Sequence, residues 1–157
     1  MPSTETKFET KHFGSLAYDP STVLTFPVGL PGYREYTQFI LLNNEDRDSA
    51  FSWLQSVQDG EIAFTLMDVY RLLPDYNPVV DPEELTDLGE ITEGSLDIYN
   101  VAVIPDDINE MRVNLRAPVV INTATKLGKQ VICMGEEYPI RYMIAQELGL
   151  THENGVV

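Results

Sequence analysis

Val119-Val120-Ile121-Asn122-Thr123-Ala124-Thr125-Lys126-Leu127-Gly128-Lys129-Gln130-Val131-Ile132-Cys133-Met134 is the stretch whose reading decides the fold. Residues 119–123 are dense in β-branched side chains, which suit a pleated, half-buried surface. Residues 130–134 form a second apolar run, and the polar, glycine-containing 124–129 separates the two. Two such runs joined by a short loop make a β-hairpin the economical reading.

The same period-two pattern spreads outward from this hairpin. Phe8, Thr10 and His12 alternate with Lys7, Glu9 and Lys11; Phe51, Trp53, Gln55 and Val57 alternate with Ser52, Leu54 and Ser56. Ile62, Phe64 and Leu66 open a run that reaches Tyr70, and residues 98–104 are again rich in β-branched types. Helical signals are few. Asp81-Pro82-Glu83-Glu84 has an N-cap, a proline at the first helical position and an acid at N3, with Leu85 and Leu88 facing inward and Gly89 as the stop. Ile140, Met143, Ile144 and Leu148 share one stripe of a second candidate helix over 140–148. Pro105-Asp106-Asp107 reads as a turn leading into a single helical turn. The expectation is an all-β, mainly antiparallel fold: one barrel-like domain over 1–157, about eight strands and one or two short helices. A C-terminal helix and tail would occupy 143–157, fraying after Leu150.

Totals bound the class. A hydrophobic content of 43% in 157 residues is enough for a packed core. No run approaches the eighteen apolar residues of a membrane helix, and the first residues lack the apolar stretch of a secretory signal. A single cysteine, Cys133, allows no internal disulfide, which fits a reducing cytoplasm. A protein that is monomeric when free is expected.

Charge separates the function classes. The chain holds 25 Asp+Glu against 10 Lys+Arg, a formal charge of −15. Residues 72–111 carry Asp75, Asp81, Glu83, Glu84, Asp87, Glu90, Glu93, Asp97, Asp106, Asp107 and Glu110, with no lysine or arginine. Such a surface repels phosphate backbones, so direct nucleic-acid binding is not expected. It attracts a basic protein and opposes any RNA that protein holds. The plain alternative is a solvated face that keeps the protein soluble.

Catalytic and metal chemistry find little support. His12 and His152 lie near opposite ends, no paired Cys or His spacing occurs, and no EF-hand pattern runs through the acids. His12, at an alternating strand position, reads as a structural histidine. Cys133, inside an apolar run, has the setting of an inert thiol. Asp75 with Asp81, or Asp106 with Asp107, would supply a carboxylate pair, but 25 acids produce such pairs by chance. No enzyme activity, cofactor or metal is expected. Val28-Gly29-Leu30-Pro31-Gly32 lacks the lysine and third glycine of a phosphate cradle and reads as a tight loop between Phe26 and Tyr33. The alternative is a rigid rim offering those aromatics to a partner. Arg71-Leu72-Leu73-Pro74-Asp75-Tyr76 has the composition of an interface core with a polar rim, and equally that of ordinary packing at a strand end.

Taken in order, several segments resemble the flagellar assembly factor FliW family. They are Phe13-Gly14, Leu24-Thr25-Phe26-Pro27-Val28-Gly29-Leu30-Pro31-Gly32-Tyr33, Phe39-Ile40-Leu41-Leu42, Trp53-Leu54-Gln55-Ser56 and Asp75-Tyr76. The strongest block is Asn114-Leu115-Arg116-Ala117-Pro118-Val119-Val120-Ile121-Asn122-Thr123, followed by Gly128-Lys129-Gln130-Val131 and Tyr138-Pro139-Ile140-Arg141. The match covers roughly 8–142, leaving 143–157 outside. The resemblance implies a non-enzymatic bacterial cytoplasmic protein of barrel-like fold with two partners. One is newly made flagellin. The other is the CsrA-type translational regulator, which represses flagellin messenger RNA until this factor captures it. Residues expected to meet the regulator are Asp75, Glu83, Glu84, Asp87 and Glu90, beside the apolar 72–76 segment. Phe26, Tyr33, Leu72, Leu73 and Tyr76 are the candidate lining for amphipathic flagellin segments. A generic acidic β-barrel module for another basic or amphipathic protein is the alternative.

Overall fold

The computed structural model describes residues 6–43, 49–146 and 148. Among them lie eleven strands: β1 (Thr6–Thr10), β2 (Gly14–Tyr18), β3 (Leu24–Thr25), β4 (Gln38–Asn43), β5 (Phe51–Ser56), β6 (Ala63–Met67), β7 (Leu96–Val103), β8 (Arg112–Val113), β9 (Val119–Asn122), β10 (Leu127–Gln130) and β11 (Tyr142–Met143). The fold is all-β, as the alternation predicts, with more and shorter strands than the sequence reading distinguished. β1 and β2 form a separate hairpin that docks through Lys11 N–H donating to Gly60 C=O at 3.0 Å and Phe13 against Trp53.

Seven strands close a barrel in the order β7-β6-β5-β4-β3-β10-β9, with β9 returning to pair β7. All neighbours are antiparallel except β3 and β10, which meet in parallel at Thr25 and Leu127. β8 continues from the upper half of β7, and β11 pairs β8. Closure removes the open edges that invite strand addition.

β9 explains why its sequence reads as a continuous apolar run rather than an alternation. Val119 and Ile121 enter the barrel interior with Phe26, Phe39, Leu54 and Leu66. Val120, on the opposite face, packs against Leu88 and Val131 in an outer layer. A strand covered on both faces needs apolar residues at every position. A third cluster, around Met67, Tyr76, Met111, Leu115 and Ile144, fills the end of the barrel beyond β8.

The hairpin is present but tighter than predicted. β10 begins at Leu127, so the loop is residues 123–126 and residues 131–134 lie beyond the strand. Asn122 Oδ1 accepts from Ala124 N–H at 3.0 Å and Thr125 N–H at 3.4 Å, and Lys126 takes a positive φ of 62°. Asparagine's ability to mimic a backbone acceptor makes this turn, and composition alone had placed it later.

Helical structure among the described residues consists of 3-10 segments, each opened by an aspartate. Pro20–Thr22, Val69–Arg71, Pro82–Leu88 and Ile108–Glu110 follow Asp19, Asp68, Asp81 and Asp107, whose carboxylates accept from the N–H two residues on. The predicted cap at Asp81, proline start and Gly89 stop are all in place, and the segment is 3-10 rather than α. The expected helix over 140–148 is not found in the described residues. Residues 142–143 instead take the free edge of β8, with Tyr142 opposite Val113. Only Ile144 of the stripe is fully buried; Ile140 and Met143 are exposed. Residues 147 and 149–157, and with them the predicted tail, fall outside the described residues. His12 sits exposed in the β1–β2 turn, two residues past the strand, and not at the alternating strand position expected of it.

Candidate partner-binding surface

Ahead of β7, the acidic stretch 72–111 packs on the outer face of the barrel, where it is pinned by one buried amide. Asn122, fully buried, donates from Nδ2 to Leu88 C=O and Glu90 C=O, both at 2.9 Å. Thr125 Oγ1 adds a donor to Leu88 C=O at 2.7 Å. One side chain therefore closes the β9–β10 turn with its oxygen and holds the acidic segment with its nitrogen. Leu88 completes the attachment by entering the outer apolar layer.

Within this segment the acids have different employments. Asp81 and Asp107 cap 3-10 turns, so neither belongs to a carboxylate pair free for chemistry. Glu84 and Asp87 grip Lys129 Nζ, at 3.4 and 2.9 Å. The sequence shows no cation within 72–111, yet β10 delivers one from about forty residues downstream. The Asp87 hydrogen bond, ahead of the opposing effect of burial, raises the Lys129 pKa and keeps the ammonium charged. Asp75, Glu83, Glu90, Glu93, Asp97, Asp106 and Glu110 are exposed and make no ion pair among the described residues. These seven neither cap a turn nor face a cation.

The apolar candidates divide. Leu72, Leu73, Asp75 and Tyr76 do come together, lining a shallow cleft with Tyr138. Tyr76 is its floor rather than an exposed contact: it is buried and donates to Leu115 C=O at 2.6 Å while accepting from Asn100 Nδ2 at 3.0 Å. Burial, first among the causes, pushes its pKa far above the ordinary tyrosine value. Leu72 and Leu73 are half-buried against the same cluster. Phe26 is removed from any surface role, being fully buried in the barrel and edge-on to Phe39. The glycine-proline loop after it is a structural turn. Gly29 and Gly32 take φ of 65° and 83°, and a Cβ on Gly29 would lie 2.5 Å from the Arg34 backbone. Tyr33 alone of that pair is exposed, stacked edge-on against Phe64.

Cys133 is buried, its thiol directed at Leu115 C=O, and burial pushes its pKa up. That places the thiol in the setting of a packing residue. Among the described residues no group of three His, Cys, Asp or Glu side chains is placed to hold a metal ion.

This fold is shared by a solved structure described as the flagellar assembly factor FliW. It superposes with a TM-score of 0.80 at 31% identity over 88% of this chain and 96% of that one. The family model described as FliW protein matches residues 7–144. The chain belongs to the FliW family. A relative described as flagellar assembly factor FliW from Alkaliphilus metalliredigens is 37% identical over 89% of this chain and 86% of its own length. Another with the same description, from Thermoanaerobacter pseudethanolicus, is 35% identical over 94% and 99%. The FliW match ends at residue 144, just past β11 and close to the limit the sequence motifs reach.

One surface of this FliW-family chain escaped the sequence reading. Beside the Leu30 turn, two clefts share Pro31, Asn114 and Gln130 as a common wall. Val103, Ile132 and Ile140 border them, and all three are exposed. The sequence signal pointed the other way: Ile132 sits in an apolar run and Ile140 on the apolar stripe of the candidate helix, so both read as core.

Proposed function

We propose that this chain is a non-enzymatic flagellar assembly factor of the bacterial cytoplasm. It binds flagellin and, when flagellin is scarce, captures the CsrA-type regulator and relieves repression of flagellin synthesis. Membership in a family of flagellar assembly factors supports the setting. The observation that carries the regulator half is the set of seven exposed acids in 72–111 that neither cap a turn nor pair with a cation among the described residues. An RNA-binding regulator is basic, so this band supplies the complementary field that steers association.

Held beside the regulator's RNA surface, the same field lowers affinity for phosphate without occupying the base-reading sites. Such a coupling is typically about 1–3 kcal/mol, and it is reciprocal, so RNA weakens binding of this protein by the same factor. No cofactor enters the scheme, and the free protein acts as a monomer.

The test is fluorescence anisotropy of a labelled flagellin leader RNA bound to the regulator from the same organism. Titrating in this protein should lower the anisotropy, and adding flagellin should restore it. An unchanged signal at micromolar protein would remove the regulator role. Flagellin binding without RNA release would leave chaperoning alone. Failure of both partners would favour a generic acidic β-barrel module.

A further inference from the structure

The two clefts that share Pro31, Asn114 and Gln130 have volumes of about 300 and 320 Å³ and open beside each other on the side of the barrel. Their lining is apolar where it meets solvent: Val28 is 41% exposed, Val103 41%, Ile140 55% and Ile132 64%. Four branched aliphatic side chains left in water around one continuous depression mark a contact surface rather than scattered exposure.

The charge around this groove is opposite to that of the molecule. Arg112 and Arg141 line the first cleft, and Arg34 and Lys129 the second, in a chain with only 10 Lys+Arg against 25 Asp+Glu. Lys129 is held by Glu84 and Asp87. Arg34, Arg112 and Arg141 make no ion pair among the described residues, and Arg112 donates only to the Glu110 backbone carbonyl. Arginine is suited to this use, since its fork holds carboxylates bidentately and is weakly hydrated.

We infer that this groove docks an amphipathic segment of flagellin, its apolar side chains on Ile132, Ile140 and Val103 and its flanking carboxylates on Arg34, Arg112 and Arg141. The inference rests on the proposed function and deepens it by assigning flagellin a surface. Charge complementarity selects the occupant. A basic regulator is repelled by these arginines and drawn to the acidic band, whereas a segment with acids bordering an apolar stripe matches the groove in both respects. Glu84 and Lys129 both line the second cleft, and Glu84 also belongs to the acidic segment, so the two surfaces border each other at that ion pair.

The experiment measures binding of flagellin monomer and of the regulator to the full chain by calorimetry. It compares wild type with an Arg112→Glu/Arg141→Glu variant and, separately, with Ile132→Asp. Position 132 is exposed, so the second variant probes the groove without disturbing the core. Both variants should weaken flagellin at least tenfold and leave the regulator within twofold, and wild-type flagellin affinity should fall with added salt. Flagellin binding unchanged in both variants overturns the groove assignment while the proposed function stands. Equal loss of both partners in variants with wild-type melting also overturns it. Absence of flagellin binding to the wild-type chain sinks the proposed function and this inference with it.

Discussion

The ring of Phe26 fills the space that any side chain at residue 128 would need. A Cβ built on Gly128 would lie 2.5 Å from Cζ and 2.7 Å from Cε1 of that ring. Gly128 sits on β10 and Phe26 just past β3, so the contact is made where the two strands run parallel. Gly128 has no need of positive φ here; the space alone demands glycine. Gly128→Ala should therefore overpack the barrel and cost roughly 1–3 kcal/mol. A urea titration would show this as a lower midpoint with unchanged slope, and an unshifted midpoint would mean that the ring moves aside freely.

Asn122 is the second structural anchor. Replacing it with aspartate preserves shape but leaves an acceptor where Leu88 and Glu90 carbonyls require a donor. With burial added, Asn122→Asp should destabilise the fold by roughly 3 kcal/mol. Hydrogen exchange should localise the damage, with faster exchange across Pro82–Leu88 and the 123–126 turn than in β5 and β6. Uniform acceleration would contradict the pinning role.

Alkaline pH supplies a third check. Tyr76, Tyr70 and Tyr99 all have pKa values raised above 10.0, burial being the largest cause in each. Their neutral forms are favoured by the fold, so the unfolded chain ionises first. The resulting stability is fully present below the ordinary tyrosine pKa and is lost as pH rises beyond it. The melting temperature should hold to about pH 9 and decline by about pH 11. Tyr76→Phe should start lower, by about 1 kcal/mol, because the Leu115 carbonyl keeps only the weak Cys133 thiol as donor, and then decline less steeply. A parallel decline would assign the effect to other groups.

The fourth concerns the acidic band. Asp75, Glu83 and Glu90 are exposed and lack ion-pair partners among the described residues, whereas Glu84 and Asp87 already face Lys129. Changing the first three to lysine should abolish displacement of leader RNA from the regulator, read by anisotropy. Glu84→Gln with Asp87→Asn should leave most displacement intact. Displacement that survives the triple reversal would point to a conformational cause instead of repulsion.

Local patterns determined much of this protein. Period-two alternation marked β1, β5 and β6, and β-branched enrichment marked β7. Asp81-Pro82 and Gly89 bounded the 3-10 segment because capping and backbone freedom depend on neighbours only. The ordered motifs also carried the family. Tertiary structure decided what depends on residues far apart. The β7–β9 pairing closes the barrel and buries both faces of Val119–Asn122. The same closure sends Phe26 inward and brings Lys129 to Glu84 and Asp87. At 140–144, apolar spacing suggested a helix, but the open edge of β8 offered backbone hydrogen bonds that outweighed that local preference. Apolar type likewise cannot distinguish Ile144, fully buried, from Ile140, exposed on the groove. Burial is a property of the assembled surface, and only the closed barrel with its appended strands specifies it.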